Sequence, residues 1–419
     1  MKKEDLMLIA NDLGYGFIKA DINGERVKIP SAIATKQSYM APNPDTISDK
    51  YMENFLDNMD VSISSSSVNR TGRFLIGRAA SKAASRTQTF NIYSGKGKSD
   101  DDLSVILTLS MIAGQRVKLA YEANADLSKP LNADVIMATE LPISEGRNSQ
   151  VSKNYEDKYL GHKHIVTINN FNDPITVSIN FISVRSYLEG ETASLALANA
   201  AKGLKGFEIL DSLREAVAKD YKKNYPERAK KYGVEEILNA LNIFILDIGE
   251  RTSDLVTTTL GAANPEASDS IDLGFGTALE RTRQELRVRH LANFNSRYDL
   301  KEYLHRDLVG ANKEKQEQIR QILIEQLQPL SDGIIDASSN ILSLTANDTD
   351  VVFVLGGGSI PMLKQSNLRR DLVELLQSLG SEAPVIGVDS KFAQWMNEIG
   401  LLIALSVMVQ EAKDSGVIE

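Results

Sequence analysis

Two short segments of the sequence place an aspartate and a glycine where a phosphate and a metal ion could be bound. In residues 6–21, LMLIANDLGYGFIKAD, Asp12 ends an apolar run and precedes Gly14. In residues 243–257, IFILDIGERTSDLVT, Asp247 precedes Gly249 in the same way. Glycine lets backbone N–H groups approach a phosphate closely, and a carboxylate can hold Mg²⁺, usually through water. The two segments therefore predict a site for a phosphate and Mg²⁺, with Asp12 and Asp247 near the metal.

Two further features fit a nucleotide. Lys19, in the strand that follows the first turn, can supply positive charge to phosphates. Gly356, Gly357 and Gly358 follow the buried-looking run VVFVL, and backbone without Cβ atoms can lie flat against a nucleobase and ribose, with Ser359 continuing the pocket. A close junction between a strand and a helix is the alternative for this triple glycine, as a tight turn is for either hairpin alone.

Known phosphate loops of other classes do not explain the two hairpins. The sequence contains no GxxxxGK[ST] motif, and a strand rather than a helix is expected after each glycine, which excludes a Walker loop and a Rossmann fingerprint. The net charge of −9, from 47 basic and 56 acidic residues, argues against unspecific nucleic-acid binding. The absence of cysteine excludes disulfides, thiolate metal sites and cysteine nucleophiles.

The elements that must position these residues alternate between strands and helices, so the sequence predicts an α/β fold. Strand patterns occur in 6–35, 133–142, 164–184, 242–261 and 350–355, and helical patterns in 103–123, 190–203 and about 392–413. Residues 36–66 look like a loop-rich insertion and residues 204–240 like a charged helical one. The N-terminus does not resemble a secretory signal, and no run of about 18 apolar residues is found. We therefore expect a cytoplasmic protein without membrane contact.

The repetition of the hairpin suggests two related lobes that face each other. At this point the sequence resembles the superfamily of actin, sugar kinases and heat-shock ATPases. DLGYGFIK is similar to its first phosphate loop, DIGERTSDL to its second, and VFVLGGGSIPML to its adenosine loop. VRSYLEGETASLAL and WMNEIGLLIAL resemble the two connecting segments, and all five motifs occur in the family's order. Within the superfamily the chain is most similar to the ParM and Alp actins of plasmid partition.

The resemblance implies an actin-like, ribonuclease H-like duplicated fold with a nucleotide cleft between two lobes. Lobe I would comprise 1–200 and 395–419, with a variable insertion at about 36–130, and lobe II 201–394. The resemblance also implies catalytic roles for Glu189, which would orient the attacking water, and for Asp12 and Asp247; Glu191 is the alternative to Glu189. The residues that would contact the nucleotide are Gly14, Tyr15, Gly16, Lys19, Gly249, Glu250, Arg251, Thr252, Gly356, Gly357, Gly358 and Ser359.

The implied function is an ATPase, using ATP or GTP with Mg²⁺, that polymerises into nucleotide-dependent filaments for plasmid DNA segregation. The implied partners are further copies of the chain and a DNA-binding adaptor protein, without direct contact to nucleic acid. A small-molecule kinase of the same superfamily is one alternative, for which Glu140 would have to serve as the base. A cell-shape or division scaffold is another, although the C-terminal VQEAKDSGVIE is too short and polar for a membrane anchor.

Two remaining segments receive ordinary interpretations. His162 and His164 form a pair that could bind a metal, but with no third ligand nearby an exposed strand end is favoured. DYKKNYPERAKKYG, residues 220–233, is basic and contains tyrosines, and a solvated helix face is favoured over a nucleic-acid site.

Overall fold

The computed structural model describes residues 3–36, 47–83, 85, 87–90, 97–204, 206–260, 262–346 and 348–418. The chain folds into two compact units. The first contains residues 1–188 and 401–419, and the second contains residues 189–400. The boundaries fall at 188 and 400, whereas the sequence analysis placed them at 200 and 394.

The first unit is built on one mixed sheet with the strand order β3-β2-β1-β8-β10-β9-β5-β6-β4-β7. Its parallel pairs are β1 with β8 and β8 with β10, and the other neighbours are antiparallel. The strands are β1 (Leu6–Leu13), β2 (Phe17–Ile22), β3 (Glu25–Pro30), β4 (Ala32–Thr35), β5 (Asp60–Ser64), β6 (Gly72–Ile76), β7 (Thr87–Thr89), β8 (Leu131–Leu141), β9 (Lys163–Ile168) and β10 (Ile175–Leu188).

Helices cover both faces of this sheet. Val135 and Met137 of β8 face the cluster that contains the long helix α3, whereas Ile136 and Ala138 face the last helix, α16. This alternation follows from the period of two residues in a strand, and burial on both faces explains the continuous apolar run in β8. The helices are α1 (Asp49–Met52), α2 (Arg78–Ser81), α3 (Asp102–Glu122), α4 (Ile143–Gly146), α5 (Ser149–Asp157) and α16 (Met396–Asp414), of which residues 401–414 count with this unit.

Helix α3 combines length with a largely apolar sequence. Among the described residues it is the one helix long and apolar enough to cross a membrane, with a mean hydropathy of 1.3 over 18 residues, and 89% of that window is buried inside the protein. A core helix passes the same test. α3 is not an uninterrupted run of apolar residues, because polar and charged side chains, among them Gln115, Arg116 and Lys118, lie within it.

The second unit contains a smaller sheet with the order β13-β12-β11-β15-β16, and β14 also pairs with β12. β11 lies antiparallel to β12 and parallel to β15, which is parallel to β16. The strands are β11 (Asn242–Ile248), β12 (Ser253–Thr259), β13 (Ala262–Ala263), β14 (Asp269–Ile271), β15 (Val351–Leu355) and β16 (Val385–Gly387).

One face of this sheet is covered by α10 and α12, whose leucines and isoleucines form a core with Phe244, Leu246 and Ile248 of β11. α6 ends at Gly203, which has the left-handed conformation that the sequence predicts for a terminating glycine. The helices are α6 (Glu191–Lys202), α7 (Glu208–Asn224), α8 (Pro226–Tyr232), α9 (Glu235–Leu238), α10 (Phe275–Val288), α11 (Arg297–His305), α12 (Ala311–Thr345), α13 (Ser359–Gln365), α14 (Leu368–Ser378) and α15 (Ser390–Ala393).

The two units repeat one strand pattern. β3-β2-β1-β8-β10 and β13-β12-β11-β15-β16 have the same order and the same sequence of antiparallel and parallel neighbours. The predicted α/β class is confirmed. The loop-rich interpretation of 36–66 was wrong for 60–64, because β5 pairs there with β6 and β9; residues 37–46 lie outside the described residues.

Candidate functional site

The first hairpin joins β1 to β2 and has an acid and a base facing each other. Asp12 and Lys19 are direct partners across the two strands and form an ion pair, and Asp12 is buried. The Gly14 N–H donates to the carbonyl of Phe17 at 3.0 Å, and a Cβ on Gly14 would lie 2.8 Å from that oxygen. The turn therefore requires glycine at this position. Lys19 neutralises Asp12 within this hairpin.

Tyr15, at the tip of this turn, is held by side chains from distant segments. Its ring contacts the edge of Phe90, with centroids 5.4 Å apart, and Lys98 Nζ lies 4.7 Å from the ring centroid. The Tyr15 hydroxyl lies 3.5 Å from Glu145 Oε1. Glu145 also accepts hydrogen bonds of 2.9 Å from the backbone N–H groups of Lys98 and Ser99. Lys98 and Glu145 were missed by the sequence analysis, since no local motif marks either.

The second hairpin joins β11 to β12 and places two acids opposite each other. Asp247 and Asp254 are direct partners across the strands, and both are buried. The Gly249 N–H donates to the carbonyl of Thr252 at 2.9 Å, which closes the turn. Asn397 donates from Nδ2 to Asp247 Oδ2 at 2.9 Å. Like charges opposite each other destabilise an antiparallel pair, so this arrangement needs a compensating interaction.

A raised pKa of Asp254, which favours its uncharged form, offsets this repulsion. Burial raises its pKa well above the ordinary value, and repulsion from Glu189 and Asp247 raises the pKa further. The carboxyl of Asp254 accepts a hydrogen bond of 3.3 Å from the Thr252 hydroxyl. Only 2% of Asp254 is exposed. Glu189, Asp247 and Asp254 thus form an acidic cluster that favours the protonated form of Asp254; the sequence analysis did not single out Asp254.

The triple glycine packs against the same hairpin. Gly356 has φ +89°, and a Cβ there would collide with Asp247 Oδ1 and lie 2.5 Å from the Ile248 carbonyl. Gly358 donates its N–H to the same carbonyl at 2.8 Å. A Cβ on Gly357, in contrast, would meet nothing closer than 3.9 Å. Close packing therefore explains Gly356 and Gly358, whereas the exposed Gly357 is open to a ligand. The hydroxyl of Ser359 donates to the carbonyl of Gly356 at 2.7 Å.

The turn of the second hairpin is also fastened to the start of α10. The N–H groups of Phe275 and Gly276 donate to the carbonyls of Gly249 and Glu250 at 2.9 and 2.7 Å. Arg251 is buried and lies 3.2 Å from a carboxylate oxygen of Asp272. The turn is therefore held rigidly by its own unit.

The predicted site residues divide between the two units. Asp12, Gly14, Tyr15, Gly16 and Lys19 lie in the first unit, and the others, including Glu189, lie in the second. Glu140, which a kinase mechanism would need as a base, is fully buried in β8. His164 is also buried, between Ser65 Oγ at 2.8 Å and the Tyr159 carbonyl at 3.1 Å. The interpretation of the histidines as an exposed strand end was thus wrong for His164.

The side chains that could act as metal ligands decide how the predicted Mg²⁺ would be bound. Among the described residues no three His, Asp or Glu side chains are arranged to hold a metal ion by themselves. Mg²⁺ usually keeps several waters and takes one or two carboxylates together with substrate phosphates. Asp12 and Asp247, each at the end of a strand beside a glycine turn, fit that mode of binding rather than a closed protein cage.

The same strand pattern occurs twice, and in each copy an aspartate lies near the end of the first strand of the hairpin. This repetition is typical of the duplicated α/β folds to which actin belongs. Comparisons with known proteins agree. Residues 10–191 match the family of actin-like proteins, N-terminal domain, and residues 245–367 match the archaeal actin homologue MreB-like, C-terminal. The chain resembles the actin-like superfamily and, within it, the Alp and ParM members. No curated protein sequence matches the chain.

Solved structures share the fold at low sequence identity. The actin-like protein Alp7A is 16% identical with a TM-score of 0.68, over 99% of this chain and 100% of that one. ParM of Bacillus thuringiensis, solved with ATP, is 16% identical with a TM-score of 0.58, over 97% and 100%. The archaeal actin homologue Ta0583 is 17% identical with a TM-score of 0.59, over 96% and 99%. The predicted actin-like fold is confirmed.

Proposed function

We propose that this chain is an actin-like ATPase that binds ATP with Mg²⁺ and assembles with further copies of itself in a nucleotide-dependent manner. The observation that carries the proposal is the duplicated hairpin, in which Asp12 and Asp247 occupy the same place in two copies of one strand pattern. The ATP bound to the similar ParM supports the choice of nucleotide.

The roles of the residues follow from their surroundings. The N–H groups of the turns at Gly14 and Gly249 would approach phosphate oxygens, and Lys19 would add positive charge. Glu189 would orient water for in-line attack on the γ-phosphate. When bound with ATP, Mg²⁺ would neutralise charge on the phosphates, with Asp12 and Asp247 holding its water ligands.

Phosphate release with ATP and Mg²⁺ tests the enzymatic part. Asp247→Asn keeps the size of the side chain but removes its charge, so we expect turnover to fall at least about 10-fold, as for groups that support a metal. Asp269→Asn removes an exposed charge from the same sheet and serves as the matched control. Wild-type turnover in Asp247→Asn, or equal losses in both variants, would refute the assignment.

Assembly is tested by sedimentation with ATP, with ADP and without nucleotide. We expect the pellet to be larger with ATP than with ADP, because loss of the γ-phosphate removes contacts to the hairpin turns. We further propose that the filaments act in the cytoplasm in plasmid DNA segregation, through a DNA-binding adaptor. Loss of plasmid retention in cells that carry Asp247→Asn, at an unchanged protein level, is the expected result.

A further inference from the structure

A strongly basic segment lies at the surface of the second unit. Residues 219–231, KDYKKNYPERAKK, contain six Lys or Arg and two acids in a chain whose net charge is −9. Tyr232, which ends α8, is 51% exposed, and Lys231 Nζ lies 4.6 Å from its ring centroid. We define the basic patch as four exposed lysines of this segment and the exposed tyrosine that follows it: Lys222, Lys223, Lys230, Lys231 and Tyr232.

Hydrogen bonds fix this segment to the edge strand β16. Asp220 pairs with both terminal nitrogens of Arg369 at 2.9 and 3.0 Å and accepts the Gly387 N–H at 2.9 Å. Arg228 donates to the carbonyl of Glu382 at 2.7 Å. Asp220, the acid of this segment that lies nearest to the sheet, is therefore already paired with Arg369. These hydrogen bonds hold the basic patch in a fixed position on the unit.

A second feature of this unit is a group of exposed leucines at the end of the sheet where β11 and β15 begin. Leu241 is 55% exposed, and Leu260 and Leu344 are each 74% exposed. The Leu260 N–H donates to the Leu241 carbonyl at 2.7 Å, and the Leu241 N–H donates to the carboxylate of Asp350. Leu344 lies in the last turn of α12, just before β15. We call Leu241, Leu260 and Leu344 the leucine patch.

Leu260 is unfavourable for an isolated molecule in two respects. It exposes a large apolar side chain to water, and its φ of +54° lies in the left-handed region, where a bulky side chain is rare and Gly or Asn is preferred. A contact that covers the side chain would offset both penalties.

The surroundings of the leucine patch are acidic. Residues 252–280 and 321–363, which include Leu260 and Leu344, contain no Lys or Arg. Glu266, Asp348 and Asp350 are exposed there. The leucine patch with its surroundings and the basic patch therefore carry charges of opposite sign. Each of the two surfaces also exposes apolar side chains.

From this complementarity we propose that the basic patch of one copy docks on the leucine patch of a second copy. The lysines would pair with the acids around the leucines, and the ring of Tyr232 would cover the leucine side chains. Because two different surfaces meet, the contact is heterologous, and each copy leaves one patch of each kind open for the next. The inference rests on the proposed function and names the surfaces through which assembly occurs.

Leu260→Asn is the sharpest test, since Asn tolerates the left-handed conformation. We expect its melting temperature to equal or exceed that of the wild type, while the critical concentration for sedimentation with ATP rises at least about 10-fold. Val309→Asn, which alters another exposed apolar residue outside the patch, is the matched control. An unchanged critical concentration in Leu260→Asn would overturn the proposal.

Charge reversal tests the other side. Lys230→Glu with Lys231→Glu should raise the critical concentration, and adding Asp348→Lys in the same chain should restore part of it. Lys313→Glu with Lys315→Glu, at exposed positions of α12, is the control and should assemble as the wild type does. If reversal at 230 and 231 abolishes a gel shift with double-stranded DNA but leaves assembly unchanged, the basic patch binds nucleic acid and the docking proposal is wrong.

A crosslinking experiment separates this proposal from the proposed function. Carbodiimide joins Lys to Asp or Glu, and a mixture of isotopically light and heavy chains identifies links between copies. We expect links from Lys230 or Lys231 to Asp348 or Glu266. If the chain sediments with ATP but no such links form, the docking proposal alone is refuted. If the chain neither binds nor hydrolyses ATP, the ATPase function is refuted even if the links form. A chain that does not self-associate at all refutes the docking.

Discussion

Replacing Asp254 by Asn should stabilise the protein above acidic pH. Asp254 is buried beside Glu189 and Asp247, and its pKa in the folded chain is raised well above 3.8. A group whose pKa is raised on folding contributes stability that is fully present below its unfolded pKa and is lost as pH rises through the folded pKa. Asn mimics the protonated acid, because it can donate to Glu189 and accept from Thr252, but it does not titrate.

The size of the effect follows from proton linkage. Each pH unit over which the unfolded carboxyl is ionised and the folded one is protonated costs about 1.4 kcal/mol. Between pH 4 and pH 6 the cost adds up to at most about 3 kcal/mol. The free energy of unfolding of Asp254→Asn should therefore equal that of the wild type near pH 4 and exceed it increasingly as pH rises.

Urea unfolding of the nucleotide-free and magnesium-free protein, measured at a series of pH values, gives this difference. Hydrogen exchange of the β12 amides checks that the change lies in this strand. Asp269→Asn, on the neighbouring β14, is exposed and should show a difference that does not vary with pH. If the Asp254→Asn difference were also flat from pH 4 to pH 7, Asp254 would be ionised in the folded chain and the account of the acidic cluster would be wrong.

Three further outcomes are expected in urea unfolding. Gly356→Ala should lower the free energy of unfolding by about 2 kcal/mol or more, because its positive φ and the overlap with Asp247 strain the loop. Gly357→Ala should keep the free energy of unfolding within about 0.5 kcal/mol of the wild type. In a separate binding measurement, Gly357→Ala should weaken ATP binding if this glycine contacts the nucleotide. Glu145→Gln should cost about 1–3 kcal/mol, since one of two backbone N–H groups would lose its acceptor; no change would exclude that role. Burial lowers the pKa of His164, so stability should fall as pH drops below 6.5, and His164→Asn should remove that slope.

The hairpins could be predicted because their pattern is local. An apolar strand, an aspartate, a glycine turn and a returning strand fill about 15 consecutive residues, and strand alternation and glycine conformation act over that range. The division of the triple glycine into packed and open positions could not be predicted. It depends on how closely the loop approaches Asp247 and Ile248, which lie more than 100 residues away.

Partners from distant segments account for the residues that were missed or misinterpreted. Asp254 lies within the quoted motif, yet its raised pKa depends on burial and on the charges of Glu189 and Asp247. His164 looked exposed because a strand end is usually solvated, but β5 and the loop after it cover its ring and bring Ser65 within 2.8 Å. These contacts form only when the sheet assembles.

The sequence by itself determined the α/β class, the duplicated hairpins and the actin-like family, because strand and helix periods, glycine turns and motif order are properties of neighbouring residues. Tertiary structure alone decided which acids share a buried cluster, which glycine stays open, and which basic and leucine-rich surfaces are exposed. Burial and charge repulsion depend on distances in space, and the chain brings these residues together from positions far apart in sequence.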